Sequence, residues 1–203
     1  MSDIIPTNPD HRCLFEVAST QLGYFTAAQA RRCGFGWDLL SHHARTGRFV
    51  RVRRGLYRLR DYPSSPHEEV MAAWLALGPG LAVISHESAL DLLGLSDLIP
   101  DTIHLTVSRS KRHLPALPGV TIHTTTRPLA PTDVVTSDGL RVTAAARSIL
   151  DAAATGVAPE QIELAVAQAL GRSLTTPAQL EAAAQRYGGR VRRLVAGALR
   201  AVA

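Results

Sequence analysis

Between Arg31 and Arg60 the chain carries nine arginines and a single acid, Asp38. Duplex DNA presents one negative charge per ~1.7 Å of axis, and a protein binds it by displacing condensed counterions with its own cations. A stripe this basic suits phosphate. Arg48, Arg51, Arg53, Arg54 and Arg58 are expected to hold the duplex backbone. Ser41, His42 and Arg45 are polar and of short to medium reach, the kind of side chain that reads base edges from a helix in the major groove. The competing expectation is a solvated arginine-rich hairpin on a structural helical unit.

Other residue sets suggest other chemistry. A restriction-type nuclease needs two acids and a lysine beside a strand, to hold a divalent ion and activate water. Asp101 precedes the strand-like TIHLTV, but Arg109 rather than an acid stands two residues before Lys111, so that set is incomplete. No Asp-x-Asp and no G-x-x-x-x-G-K-[ST] phosphate loop occurs, and the lone lysine lies in SRSKRH rather than in a kinase strand. No enzyme is expected. His104 and His123 occupy similar places in two strand-like runs, yet a metal needs a third convergent ligand. Exposed cross-strand histidines are therefore expected, with no metal and no other cofactor. Arg147 and Asp151 stand at i, i+4 and predict a helix-surface ion pair, a polar contact with a partner being the alternative. Arg109, Lys111 and Arg112 predict a solvated loop, with a second phosphate or protein contact as the alternative. Cys13 and Cys33, the only cysteines, lie in apolar helical patterns and predict buried free thiols.

The basic residues need a scaffold, and the pattern around them supplies one. Thr26–Cys33 predicts a short helix, and Gly34 and Gly36 a turn. A second helix follows, with Trp37, Leu40 and Ala44 facing inward and Asp38, Ser41, His42 and Arg45 outward. Gly47 ends it. Val50 and Val52 alternate with Arg51 and Arg53, which predicts a strand with one apolar and one cationic face. Arg53-Arg54-Gly55 is the hairpin tip, and Leu56, Tyr57 and Leu59 return the chain to the core. The order is helix, turn, helix, wing.

DYPSSP, at Asp61–Pro66, reads as a boundary between domains 1–62 and 63–203. Beyond it come a helix over His67–Leu77, a helix capped by Ser85, and strands over Thr102–Val107 and Val120–Thr124. Two short strands, Val134–Val135 and Leu140–Val142, flank a turn. Helices from Thr143, over Pro159–Leu170, Pro177–Tyr187 and Arg190–Val202, complete an α+β chain that ends in a helical segment.

The 203 residues are 46% hydrophobic and 19% charged, a globular composition. The net charge of +5 is unevenly spread: residues 1–62 carry +5, residues 63–185 carry −5 and residues 186–203 carry +5. That alternation suggests two functional surfaces. Arg192, Arg193 and Arg200 lie off the apolar stripe of the last helix and are possible secondary DNA contacts. Met1–Asp10 is polar with two prolines, unlike a signal peptide, and the uncharged run Val70–Ile84 is broken by Gly78-Pro79-Gly80. A cytoplasmic protein is expected.

The motifs GYFTAAQARRCGF, GRFVRVRRGLYRL, VISHESALDLLGL, TIHLTV and GLRVTAAARSILDAA together resemble the AbiEi-type antitoxins of bacterial type IV toxin–antitoxin and abortive-infection systems, in their actinobacterial branch. The most specific stretches are Gly47 to Leu59 and Ile84 to Leu95. The resemblance implies an N-terminal winged helix-turn-helix and a C-terminal mixed α/β antitoxin domain. It also implies repression of the protein's own operon through inverted repeats, and neutralisation of a nucleotidyltransferase toxin encoded beside it. An enzyme acting on that toxin or on nucleic acid, or a stand-alone transcription factor with an effector site, are the alternatives.

Overall fold

The computed structural model describes residues 8–202. Residues 1–7, which form most of the polar stretch read against a signal peptide, lie outside it, as does residue 203. The chain divides into two compact units. One comprises Met1–Pro79 with Asp138–Leu140, the other Gly80–Ser137 with Arg141–Ala203.

The first unit begins with α1 (His11–Ser19), capped by Asp10, whose carboxylate accepts the Cys13 amide at 3.0 Å. Next come β1 (Tyr24–Thr26), α2 (Ala27–Arg32), α3 (Trp37–Arg45) and the hairpin β2 (Phe49–Arg53) and β3 (Leu56–Leu59). Thr26 and Gln29 close a reciprocal capping box that fixes where β1 becomes α2. Strand β3 lies between β1 and β2, antiparallel to both. Helix, strand, two helices and hairpin make a winged helix-turn-helix. Leu14, Ala18, Phe25, Ala30, Phe35, Leu40, Phe49 and Tyr57 are buried at its centre.

Helix α4 (Glu68–Leu77) also belongs to this unit. The boundary expected at Asp61–Pro66 therefore differs from the division of the fold, which falls between Pro79 and Gly80. Glu68 accepts from Arg58 at 2.8 Å and from the Tyr24 hydroxyl at 3.4 Å, tying α4 to β1 and β3.

The cysteines form a disulfide, Cys13 to Cys33, instead of the two free thiols expected from the sequence. The Asp10 amide donates to the Cys33 carbonyl at 2.8 Å, so the start of α1 meets the end of α2 and the two Cα atoms stand 5.7 Å apart. That separation lies within the range a disulfide spans.

The second unit is a five-stranded sheet with helices. Its strands are β4 (Ala82–Ile84), β5 (Ile103–Ser108), β6 (Val120–Thr125), β7 (Val134–Ser137) and β8 (Leu140–Thr143), in the order β6-β5-β4-β8-β7. β4 runs antiparallel to β5 and parallel to β8, and β5 runs parallel to β6. Its helices are α5 (His86–Leu92), α6 (Ala145–Thr155), α7 (Pro159–Gly171), α8 (Pro177–Ala184) and α9 (Gly189–Val202). Ile149, Ile162, Val166, Leu180, Val191 and Val195 form the seam where α6 to α9 pack. Arg190 donates to the Ala153 carbonyl at 2.6 Å, satisfying the end of α6. Ser85 precedes α5 without capping it through its side chain, because its hydroxyl is engaged by Thr106 and His86.

Candidate nucleic-acid interface

Helix α3 is preceded by Gly36, whose lack of a side chain leaves its first amides uncapped, and is followed by Thr46 and Gly47, whose φ of +78° turns the chain into β2. Leu40 and His43 are buried beneath it, whereas Ser41, His42 and Arg45 are exposed. The structure therefore brings the three expected base readers together on one open helix face. Trp37, expected inside, is 58% exposed. It is the first residue of α3, and Phe35 and Phe49 fill the space below, packed against the His43 ring at 6.0 and 4.9 Å. His43 is the inward residue the helical pattern missed. Neither of its ring nitrogens finds a partner among the described residues. Its pKa is lowered, first by burial and then by Arg48, His11 and His42.

On the wing, Arg51 and Arg54 are exposed and Arg53 is half-buried, with Gly55 at φ +77° forming the tip. Arg48 is exposed just before β2. Among the described residues none of Arg45, Arg48, Arg51, Arg53 and Arg54 is in a salt bridge. The apolar face predicted for this strand is open: Val50 and Val52 are 37% and 36% exposed, and Phe49 alone anchors β2 in the core. The register shifts between Arg51 and Arg53, opposite Tyr57 and Leu56, which breaks the simple alternation.

Arg58, placed with the phosphate-binding set by sequence, does not join it. Its guanidinium bonds Glu68, the Tyr62 carbonyl at 2.9 Å and the Pro63 carbonyl at 3.1 Å, and lies 5.6 Å from the Tyr24 ring centre. Its donors are turned inward, and Glu68, a residue distant in sequence, is the partner that charge counting could not supply. Arg60 likewise bonds the Gly47 carbonyl.

The residues expected as secondary contacts are exposed. Arg109 and Lys111 lie in a 3-10 turn after β5, with Arg112 following, and Arg192, Arg193 and Arg200 lie on the outer side of α9. Arg192 reaches Gln185 at 3.3 Å.

Two further polar groups lie in the second unit. The Arg147–Asp151 pair, expected on a helix surface, is largely buried: the 2.7 Å bridge leaves side-chain exposures of 19% and 7%, and the Tyr187 hydroxyl donates to Asp151 at 2.7 Å. Burial raises the Asp151 carboxyl above its ordinary range, although Arg147 and Tyr187 pull it down. The second group overturns the reasoning against a third histidine. His86 joins His104 and His123, and one ring nitrogen from each lies within 4.8 Å of the others. His104 Nδ1 and His123 Nε2 are 3.0 Å apart, and the His86 and His123 rings stack with centres 3.6 Å apart. Burial lowers the His86 pKa to about 3 and the His123 pKa to about 4, and lowers that of His104, so the rings are neutral at pH 7. The sequence signal was the single histidine between a short apolar strand and a helix, which no spacing rule connects to His104.

Among the described residues no helix is long and apolar enough to cross a membrane. Residues 14–60, the stretch from α1 through the wing, match a family described as "Transcriptional regulator, AbiEi antitoxin". The expected AbiEi resemblance is borne out over that stretch. In fold, the whole chain is similar to the crystal structure of the RV2827C protein from Mycobacterium tuberculosis, with a TM-score of 0.63 at 15% identity, covering 98% of this chain and 80% of that one. Comparison with curated proteins gave no match.

Proposed function

We propose, from the match of residues 14–60 to the AbiEi antitoxin family of transcriptional regulators, that this protein is a cytoplasmic antitoxin and DNA-binding autorepressor. It binds inverted repeats upstream of its own operon through Ser41, His42 and Arg45 on α3 and Arg48, Arg51, Arg53 and Arg54 around the wing. The observation that carries this is the open, uncompensated arginine face on a winged helix-turn-helix. Such a face gives sequence-independent phosphate affinity, and the helix beside it gives base discrimination.

The second unit neutralises a nucleotidyltransferase toxin encoded beside this gene, in a type IV system of the kind used in phage defence. Within the chain beyond the observed division, residues 80–185 carry seven basic and ten acidic groups, net −3, which favours a protein partner there over a second nucleic-acid surface. The regulator reading also stands ahead of an enzymatic one, since the complete nuclease, kinase and phosphate-loop residue sets are missing from the sequence.

Footprinting on the upstream region, together with co-expression with the neighbouring gene, tests both roles. An Arg51/Arg53/Arg54 triple alanine variant should bind all sequences more weakly, with a salt slope flatter by about 1 for each phosphate that is no longer neutralised. Arg45→Ala should relax discrimination at one base position, at about 1–3 kcal/mol. Residues 80–203, cut at the observed division rather than at position 63, should rescue growth without binding operator. Unchanged DNA binding by the triple variant would remove the wing from the interface. A folded 80–203 fragment that fails to rescue would end the separation of roles.

A further inference from the structure

Three elements of the second unit each deliver one histidine to the same place. His86 opens α5 directly after β4, His104 lies in β5 and His123 in β6. The parallel register sets His104 opposite Thr121 and Thr106 opposite His123. His104 and His123 are thus two positions apart along the paired strands and share one face of the sheet. His86 reaches that face from the start of α5, in a left-handed conformation with φ +54°. A non-glycine residue held there is strained and persists only where its surroundings over-determine it.

We propose that His86, His104 and His123 form a binding site for a late first-row divalent transition ion of the Zn2+ type, leaving a coordination position open to water or an external ligand. Three imidazoles select Zn2+, Co2+, Ni2+ or Cu2+ over Mg2+ and Ca2+, which take oxygen donors. Tetrahedral Zn–N bonds of about 2.0–2.1 Å set donor atoms about 3.4 Å apart. The three nitrogens already lie within 4.8 Å of one another, and the closest pair is 3.0 Å apart. Coordination requires the two strand histidines to part slightly and the His86 ring to turn out of its stack.

The hydroxyls around the rings suit this role. Ser85 Oγ stands 2.9 Å from His86 Nδ1 and is itself held by Thr106 at 2.7 Å. Thr102 Oγ1 stands 3.3 Å from His104 Nε2. Protons placed on those two nitrogens donate to the hydroxyls, which leaves His86 Nε2 and His104 Nδ1 to meet His123 Nε2 at the ion. Ligating histidines are held by such outer hydrogen bonds, and their loss weakens metal affinity about 10–100-fold. Glu87 supplies a nearby negative charge that acts on His104. The opposing charge of Arg147 is paired with Asp151.

The test uses the untagged full chain, stripped with chelator and titrated with Zn2+ by calorimetry and with Co2+ by visible absorption. One ion per chain should bind, and Co2+ should give the visible bands of a four-coordinate site. Zn2+ should also raise the thermal midpoint of unfolding. His123→Gln should abolish saturable binding, Ser85→Ala should weaken it about 10–100-fold, and His113→Ala, at an exposed histidine outside the cluster, should leave it unchanged. Circular dichroism checks that each variant folds. If His123→Gln does not fold, protection of the wild-type histidines from diethyl pyrocarbonate by one equivalent of Zn2+ decides the matter. Absence of saturable binding, absence of that protection, or binding unaffected by a folded His123→Gln variant would overturn the site and leave a buried imidazole stack.

Discussion

Replacing Arg58 by alanine separates the two roles an arginine can have in this module. In the structure its side chain is 12% exposed and its partner Glu68 is 23% exposed. Breaking a buried pair by removing one member costs about 3–5 kcal/mol. Glu68 keeps the Ser65 amide at 2.9 Å and some access to water, so its desolvation is only partly uncompensated. The Tyr62 and Pro63 carbonyls lose a donor as well. Together these set the loss at about 2–3 kcal/mol. A domain of 60–100 residues shifts by about 4–8 °C per kcal/mol, so the first unit should melt roughly 10–20 °C lower. Thermal unfolding followed by circular dichroism measures this. Fluorescence anisotropy with operator DNA, taken below the new midpoint over a range of salt, measures binding. The salt slope should stay unchanged, because every phosphate-facing cation is still in place. An Arg58→Ala variant that melts within about 2 °C of wild type while its salt slope flattens by about 1 would refute the inward assignment and return Arg58 to the DNA surface.

His43→Leu should stabilise the first unit, since it removes two buried ring nitrogens that have no partner; each unsatisfied group costs about 1–3 kcal/mol. The native pKa of His43 is lowered, so the unfolded state binds the proton first, and the stability His43 contributes above its ordinary value near 6.5 is lost as pH falls. Denaturant midpoints at pH 7 and pH 5 should therefore differ less in the variant than in wild type, and an equal difference would clear His43 of the effect. Reducing Cys13–Cys33 releases a crosslink across a sequence separation of 20 residues, a constraint of about 3 kcal/mol. Dithiothreitol should lower the melting midpoint of wild type but not that of a Cys13→Ser/Cys33→Ser variant.

The winged module was legible because its signals are local. Thr26 and Gln29 cap a helix within four residues, Gly47 and Gly55 mark turns, and the alternating segment around Arg51 marks a strand. The helices after Ala144 were legible for the same reason, with Pro159 and Pro177 at first helical positions. What escaped depends on residues far apart in the chain. β4 is three fully buried apolar residues with no alternation, so nothing marks it as a strand until β5 and β8 flank it. Glu68 claims Arg58, Tyr187 claims Asp151 and His86 completes the histidine cluster, each through packing that no helical or strand period encodes. Composition counted the two thiols but not the meeting of Asp10 with Cys33 that joins them.

The same distinction sets how strongly salt should act on DNA binding. Sequence alone offers nine arginines between Arg31 and Arg60. Releasing about 0.9 of a counterion per neutralised phosphate, nine contacts would give a log–log salt slope near −8 per bound chain. The structure withdraws two of them, Arg58 to Glu68 and its carbonyls and Arg60 to the Gly47 carbonyl. Arg31, Arg32, Arg45, Arg48, Arg51, Arg53 and Arg54 are left, and they cap the slope from this stretch at about −6. Arg31 and Arg32 end α2 and lie on neither α3 nor the wing, so the five remaining cations set a central expectation of about −4.5. Arg192, Arg193 and Arg200 on α9, with Arg109, Lys111 and Arg112 after β5, are the cations that would carry the slope past that cap, and reversing their charge should then bring it back below. A wild-type slope steeper than −6 that survives reversal of all six would mean that Arg58 or Arg60 meets DNA, and the static division between structural and binding arginines would fail.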